Sequence, residues 1–473
     1  MNTPDLFANS ALTENNPFIS TADVLKWMKE RNQAVSVNLS RIPFDALNKW
    51  LFDRKRGIIH HSSGKFFTVE GIHVKTNWGN TPEWEQPIIN QPEIGYLGLI
   101  SKEIQGVLYF LLQAKIEPGN VNSVQLSPTL QATRSNYSQI HKGKKPRYLE
   151  YFQNASNDQI LLDQLQSEQG ARFLKKRNRN IIIKIEEDIP VHEDFVWLTL
   201  GQIKKLILTD NLVNMDTRTV ISGIPLGDLN LREFLTDNIN SASASQLDHD
   251  MLRSATHNSS ALHSFDDIIK WMTDLKCRYD LEINPVSVFN LDSWEVTSDE
   301  IRHRERMYFR VIAAKVEIGN REVETWTQPL VEPMQDGLIA FLYKKINGVN
   351  HFLVQAKLEC GNFDILEMAP TVQCLTGPYV GSTNLPFLDY VLNAKQNQIK
   401  YDTLQSEEGG RFYREQNRNL IIETGEDFQE KLPRNYLWMT LKQLGTFLKF
   451  NNYLNIQTRS LISAINFIKP QDG

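Results

Sequence analysis

The chain has 473 residues, is 41% hydrophobic and 23% charged, and carries a formal net charge of −5 at pH 7. That length is too great for one core and predicts two domains of ordinary size. The composition is that of a globular protein with no whole-molecule attraction to nucleic acid. Three cysteines, Cys277, Cys360 and Cys374, lack metal-ligand spacing, so the reading is a reducing cytoplasm and no structural zinc. Met1–Ser20 is polar and has no apolar core, and no run approaches the roughly 18–20 apolar residues of a membrane span; neither a signal peptide nor a membrane segment is expected.

In chain order, Thr21–Arg31 predicts a helix, with Val24, Trp27 and Met28 at helical spacing and Thr21 as its cap. Phe44–Leu51 predicts a second, short helix. Phe66–Val74 alternates as a strand, and Thr76–Asn90, rich in Trp, Pro and Asn, reads as an irregular connection. Tyr96–Ile100 and Val107–Ala114 are strands split by the turn-prone Gln105-Gly106. Gln125–Thr133 reads as another strand. Tyr148–Asn154 and Asp158–Phe173 carry helical spacing, with Leu161, Leu162, Leu165 and Phe173 as the inner stripe of the longer one. Asn180–Ile185 is a β-branched strand. Val196–Thr199 and Leu200–Leu208 read as a strand and a helix, and Leu229–Asn238 as a last helix. Ser241–Ser264 holds seven serines and predicts an exposed linker.

Then the order begins again. Lys26-Trp27-Met28 returns as Lys270-Trp271-Met272, and Trp84, Gln86 and Pro87 as Trp326, Gln328 and Pro329. Gln113-Ala114-Lys115-Ile116-Glu117-Pro118-Gly119-Asn120 returns 242 residues on as Gln355-Ala356-Lys357-Leu358-Glu359-Cys360-Gly361-Asn362. Gln166-Ser167-Glu168 returns 239 residues on as Gln405-Ser406-Glu407, and Thr217-Arg218 returns 241 residues on as Thr458-Arg459. Small register changes belong in loops, so the chain is two copies of one unit. The predicted units are 1–240 and 265–473 around a linker at 241–264. Each mixes central strands with flanking helices, an α+β class or a mixed-sheet α/β sandwich.

Four groups of residues could carry chemistry. Lys115 and Glu117 lie two apart at a strand end and face one side, where they can tune each other's charge. Gly119 allows close backbone approach there, and Asn120 follows it. A structural ion pair at a tight turn is the competing reading. Arg134–Arg147 contains Arg134, His141, Lys142, Lys144, Lys145 and Arg147 and no acidic residue, with Ser135, Asn136 and Tyr137 among them; its copy, Leu375–Leu388, has Tyr379 but no charge. Such a stretch suits a diphosphate, or is a solvated basic loop. Glu168 and Arg172 would meet four apart on a helix, or Arg172 and Arg179 could reach an anionic ligand. Trp78, Trp84, Trp326 and Tyr137 could stack on a base or sugar, or anchor small cores. His60-His61 has no partner at metal spacing.

The words Leu126–Tyr137, Pro146–Phe152 and Gln166–Phe173, with Ala369–Cys374, Phe387–Tyr390 and Gln405–Phe412 in the second copy, resemble the NDP-hexose 2,3-dehydratases. The resemblance runs from about Phe18 to about Ile468. It implies a duplicated Nudix-like fold that has lost hydrolase chemistry, a homodimer, and a nucleotide-sugar site in each half with one of them productive. It implies loss of water across carbons 2 and 3 of a nucleotide-linked 4-keto-6-deoxyhexose, typically the thymidine diphosphate sugar, to a 3,4-diketo-2,6-dideoxy product. No metal and no redox cofactor are called for: the ketone acidifies the proton at carbon 3, and no G-x-G-x-x-G follows a strand. Glu117, Tyr137 and His141 are then the candidate base and acid, and Lys115 polarises the ketone or positions the base. Arg134, Lys145, Arg172 and Arg179 are candidate diphosphate contacts. Trp84, Asn120, Gln131, Ser135, Asn136 and Tyr151 complete the first-half set, and Lys357, Glu359, Gln373, Tyr379 and Arg411 are its mirror. A magnesium-dependent Nudix-type hydrolase and a non-catalytic nucleotide-sugar binder are the alternatives.

Overall fold

The computed structural model describes residues 3–133, 145–224, 248–256, 260–319, 325–376, 385–425, 428 and 431–468. Each half is built on a seven-stranded mixed sheet. In the first, Gly95–Ile104 turns at Gln105-Gly106 into Val107–Ile116; both turn residues have positive φ, 53° and 79°, as a two-residue hairpin requires. Arg177–Ile185 joins Gly95–Ile104 in parallel, Ile160–Ser167 closes that edge, and Phe195–Thr199 closes the other. Val124–Ser127 and Leu130–Ala132 pair with the two hairpin strands on either side of Pro128, whose missing N–H ends the ladder. The second half repeats this with Gly337–Ile346, Val349–Lys357, Gln416–Glu423, Ile399–Ser406 and Tyr436–Thr440. Helices Leu200–Leu206 and Leu441–Phe447 start from matching capping boxes, Thr199 with Gln202 and Thr440 with Gln443.

The halves do not stand apart. Val37–Ile42 of the first half pairs with Phe309–Ile318 of the second, and Leu281–Val286 of the second pairs with Thr68–Thr76 of the first. Each half thus lends a strand to the other's five-stranded sheet. One apolar core holds Phe110, Leu112 and Ile116 together with Phe341, Phe352 and Val354. The repeated glycines sit where the halves touch. Gly119 N–H donates to the Gly409 carbonyl and Gly361 N–H to the Gly170 carbonyl, both at 2.7 Å. A β-carbon on Gly119 would stand 1.5 Å from the Phe412 carbonyl oxygen, and one on Gly361 1.8 Å from that of Phe173. Beside them Arg218 and Arg459 are wholly buried; Arg218 donates to the Ser406 carbonyl at 2.5 Å and Arg459 to the Ser167 carbonyl.

Several expectations are corrected. Asp158–Phe173 is no helix: Ile160–Ser167 is a strand, and the chain then turns through 168–176. Its leucines satisfy both periods, and pairing with Arg177–Ile185 decides. Glu168 and Arg172 therefore do not meet on a helix face. Phe44–Leu51 is a single 3-10 turn, Phe44–Ala46, leading into the strand Trp50–Asp53. The connection Thr76–Asn90 contains the strand Glu83–Asn90. Ser20, not Thr21, caps the helix Thr21–Ala34. The serine-rich interval holds the helix His249–Thr256, with Met251, Leu252 and Ala255 in the core and Ser254 Oγ donating to the Asn350 carbonyl at 2.5 Å. Leu229–Asn238 lies outside the described residues. Among those described, no helix is long and apolar enough to cross a membrane.

Candidate functional site

A cavity of about 360 Å³ opens where the first half's hairpin strands end. Alternation turns Lys115 and Glu117 to one side, and Gln131 on the neighbouring strand joins them. Lys115 Nζ donates to the Gln131 carbonyl at 3.3 Å, and the Gln131 amide donates to Glu117 Oε1 at 2.8 Å. Asn214, the cap of Met215–Ser222, donates to Gln131 Oε1 at 3.5 Å and to Ser127 Oγ at 2.9 Å. That helix start also brings Asp216 to the wall. Across the cavity, Asn178 donates to Glu168 at 2.6 Å, and Lys176 Nζ donates to the Glu93 carbonyl.

The remaining wall comes from the second half. Trp326, Gln328, Glu408, Gly410 and Arg411 line the same cavity. Gln328 donates to the Gly410 carbonyl at 2.8 Å and accepts from Trp326 Nε1 at 2.7 Å. Arg411 donates to Gln91 Oε1 at 3.2 Å and lies over the Phe67 ring, 4.5 Å from its centre. Gly410 N–H donates to Glu408 Oε1 at 3.0 Å. A β-carbon on Gly410 would stand 2.2 Å from Glu408 Oε1 and 3.4 Å from Glu117 Oε1. The two carboxyls are therefore within roughly 6 Å of each other, the range in which like charges oppose joint ionisation.

Four carboxyls, Glu117, Glu168, Asp216 and Glu408, thus line one cavity with Lys115, Lys176 and Arg411. Burial, together with Glu117 and Glu168, pushes the Glu408 carboxyl up to about 8 despite Arg411. Burial, with Glu168, Glu117 and Glu408 nearby, holds Asp216 well above the usual carboxylate range. Burial raises Glu168 as well, against Arg459, Lys176 and Asn178. Burial lowers Lys176 to about 8. Asp216 Oδ1, Glu408 Oε2 and Gln91 Nε2 are buried with no hydrogen-bond partner in the protein. Glu408 keeps some exposure, and that is to the cavity it lines. Among the described residues no three His, Cys, Asp or Glu side chains are placed to share a metal ion.

Of the residues singled out from sequence, Lys115, Glu117, Gln131, Lys145, Arg147, Glu168, Trp326 and Arg411 line this cavity. Arg411 does so from the second half, so its grouping with the second copy's site is corrected. Arg172 does not line this cavity and lies over Phe309 of the second half, 4.1 Å from the ring centre. Trp326, and not Trp84, lines the cavity; Trp84 donates to Gln86, which donates to the Ala171 carbonyl. Arg179 is held by Asp163 at 2.6 and 2.8 Å, a pair repeated as Arg418 with Asp402. Asn120 closes its own turn, donating to the Ser123 carbonyl at 2.8 Å, and Tyr151 packs beside Tyr148. Lys357, Gln373 and Glu359 repeat the lysine–glutamine–glutamate bridge at 3.0 and 2.8 Å. Arg134, Ser135, Asn136, Tyr137, His141 and Tyr379 lie outside the described residues. Thr133 and Lys145, which flank the first five of these, both line the cavity.

Lys176, Asp216 and Glu408 were missed. Their copies are Glu415, Gln457 and Gln169, and the copy of Gly410 is Ala171. In the second half Gln457 donates to Glu407 at 2.7 Å, a bond that Asp216 does not make. Reading where the two copies differ, rather than where they agree, would have found all three.

The family profile described as NDP-hexose 2,3-dehydratase matches residues 21–224 and again 265–465. The chain is similar to three curated proteins, each named dTDP-4-dehydro-6-deoxy-alpha-D-glucopyranose 2,3-dehydratase. The one from Saccharopolyspora spinosa is 47% identical, over 97% of this chain and 94% of its own length. The one from Amycolatopsis orientalis is 40% identical, over 99% and 94%. The one from Streptomyces violaceoruber is 39% identical, over 96% and 98%.

Proposed function

The chain belongs to the NDP-hexose 2,3-dehydratase family, and on that premise we propose that it is a lyase removing water across carbons 2 and 3 of dTDP-4-keto-6-deoxyglucose in deoxysugar biosynthesis. The near-full-length agreement with three relatives of that name carries the reading. Glu117 is the base that takes the carbon-3 proton. Lys115, tied to it through Gln131, faces the ketone oxygen and stabilises the enolate, a contribution of several kcal/mol for a well-placed donor. Lys145 and Arg147 on the first half's wall and Arg411 opposite offset the diphosphate. Tyr137 and His141 stay in this reading as further donors. Glu117 is 5% exposed, which keeps bulk water from competing for the proton.

Three finer statements belong to the same reading. The doubled scaffold is Nudix-like, supported by a mixed sheet with helices against it; the segments at 168–176 and 407–415 carry no helix to serve as a Nudix metal-binding helix. The protein is a homodimer, which sedimentation or light scattering tests. It works in the cytoplasm, a view its three free thiols support.

The test is incubation with dTDP-4-keto-6-deoxyglucose in deuterated buffer, with the product trapped by a 3-keto reductase. Loss of the carbon-2 hydroxyl and deuterium at carbon 2 are expected. Binding without water loss would leave a sugar-binding protein, and magnesium-dependent cleavage of the diphosphate would make it a hydrolase.

A further inference from the structure

We propose that Glu408, supplied by the second half, is the general acid that protonates the leaving carbon-2 hydroxyl, on the same ring face from which Glu117 takes the carbon-3 hydrogen. This rests on the dehydratase reading above and goes one residue further.

The argument begins with geometry. Glu408 lines the cavity beside Glu117, and their Oε1 atoms lie 2.2 and 3.4 Å from the point where a Gly410 β-carbon would stand. Gly410 therefore has to lack a side chain for Glu408 to sit there. The other copy has Gln169 and Ala171 at these two places, so the carboxyl and the space for it occur together on one side only. The ring stereochemistry agrees. In a D-gluco ring the carbon-2 hydroxyl and the carbon-3 hydrogen point to the same face. Two carboxyls side by side can then serve both ends of one elimination. Of the pair, Glu117 is tied to Lys115 through Gln131, which places it at the carbonyl end. Burial and the neighbouring Glu117 and Glu168 keep Glu408 protonated near neutral pH. The groups facing it are Glu117, Glu168, Asp216, Lys115, Lys176 and Arg411.

The step balances. The C3–H bond breaks, the proton goes to Glu117, and the electron pair forms an enolate with its charge on the ketone oxygen. As the ketone re-forms, the pair moves into a C2–C3 double bond and the C2–O bond breaks. The departing oxygen takes the Glu408 proton and leaves as water. The product enol then moves its proton from oxygen 3 to carbon 2. Glu117 ends protonated and Glu408 ionised, and one proton passed between these neighbours resets the site.

The test is Glu408→Gln, which keeps shape and hydrogen bonding but removes the donor. Turnover is expected to fall about 10²–10⁴-fold with KM within about threefold, the range lost with one acid–base group. In deuterated buffer the variant still washes deuterium into carbon 3 of recovered substrate, because the base is intact, whereas Glu117→Gln loses exchange and dehydration together. The 2-fluoro analogue supplies the decisive measurement: fluoride needs no acid to leave, so the variant releases it within about threefold of the wild-type rate. Retained dehydration, or a variant at least as stable as the wild type that is equally slow with fluoride, overturns the proposal. Wild-type enzyme that dehydrates nothing would instead fail the reading beneath it.

Discussion

The cavity brings several buried carboxyls together, and this has a consequence for stability as well as for proton transfer. Glu408 titrates at about 8 in the folded chain, against an ordinary 4.5. A carboxyl raised on folding binds its proton more tightly in the native state. Its contribution is therefore fully present below about 4.5 and is lost as pH rises through about 8. Asp216 and Glu168 are raised as well and act with the same sign. Lys176, lowered to about 8, works in the opposite sense but only above that pH, where the unfolded chain still holds the proton. Among the groups of the cavity, the window from pH 5 to 8 thus belongs to the carboxyls; elsewhere Lys204, lowered to about 7 by burial, begins to oppose them near its upper end. The wild type is expected to lose thermal midpoint across this window relative to the variant that lacks the Glu408 carboxyl. Glu408→Gln should match the wild type at pH 5 and exceed it at pH 8, by calorimetry at matched ionic strength. A variant less stable at pH 8 would mean that Glu408 sits ionised and paired.

At the scale of elements, the repeated Pro/Cys-Gly-Asn turn is a contact between halves before it is anything chemical. Gly119→Ala would drive a β-carbon to 1.5 Å from the Phe412 carbonyl oxygen, and that atom is backbone, so no rotamer can yield. The expected cost is about 3 kcal/mol or more, at the upper end of overpacking, read as a drop in the urea midpoint. Gly348→Ala, at a hairpin turn with φ 77° and open space around it, should cost about 1 kcal/mol from backbone strain alone. The contrast shows what the sequence makes legible here. Alternation places Lys115 and Glu117 on one side, and the structure agrees; that Gln131 bridges them is seen only in the structure. Alternation says which face of a strand is buried but not whose strand lies beside it. The exchange of Val37–Ile42 for Leu281–Val286 is therefore invisible, and so is the placement of the second half's Arg411 and Trp326 in the first half's cavity. Leu161, Leu162 and Leu165 fit a helix and a strand equally, and only the partner strand Arg177–Ile185 settles them.

For the whole molecule, exchange and a shared core decide how it comes apart. A chain of this length built from two copies would ordinarily melt in two steps, since multidomain proteins break two-state behaviour. Here neither half can leave without opening an edge in the other's five-stranded sheet and splitting one core across Phe110 and Phe341. Arg218 and Arg459 add to the coupling, because separation would strand two guanidinium groups with their carbonyl partners gone. A single endotherm is expected, with calorimetric and van't Hoff enthalpies in agreement. The ligand response follows from where the cavity lies. Its walls come from both halves, so thymidine diphosphate at 100 times its Kd should raise the stability of the whole transition by about 2.7 kcal/mol rather than shift one part of it. Two resolved transitions, with only one moved by the nucleotide, would show that the halves fold as separate units and that the wall holding Glu408 can come away from Glu117.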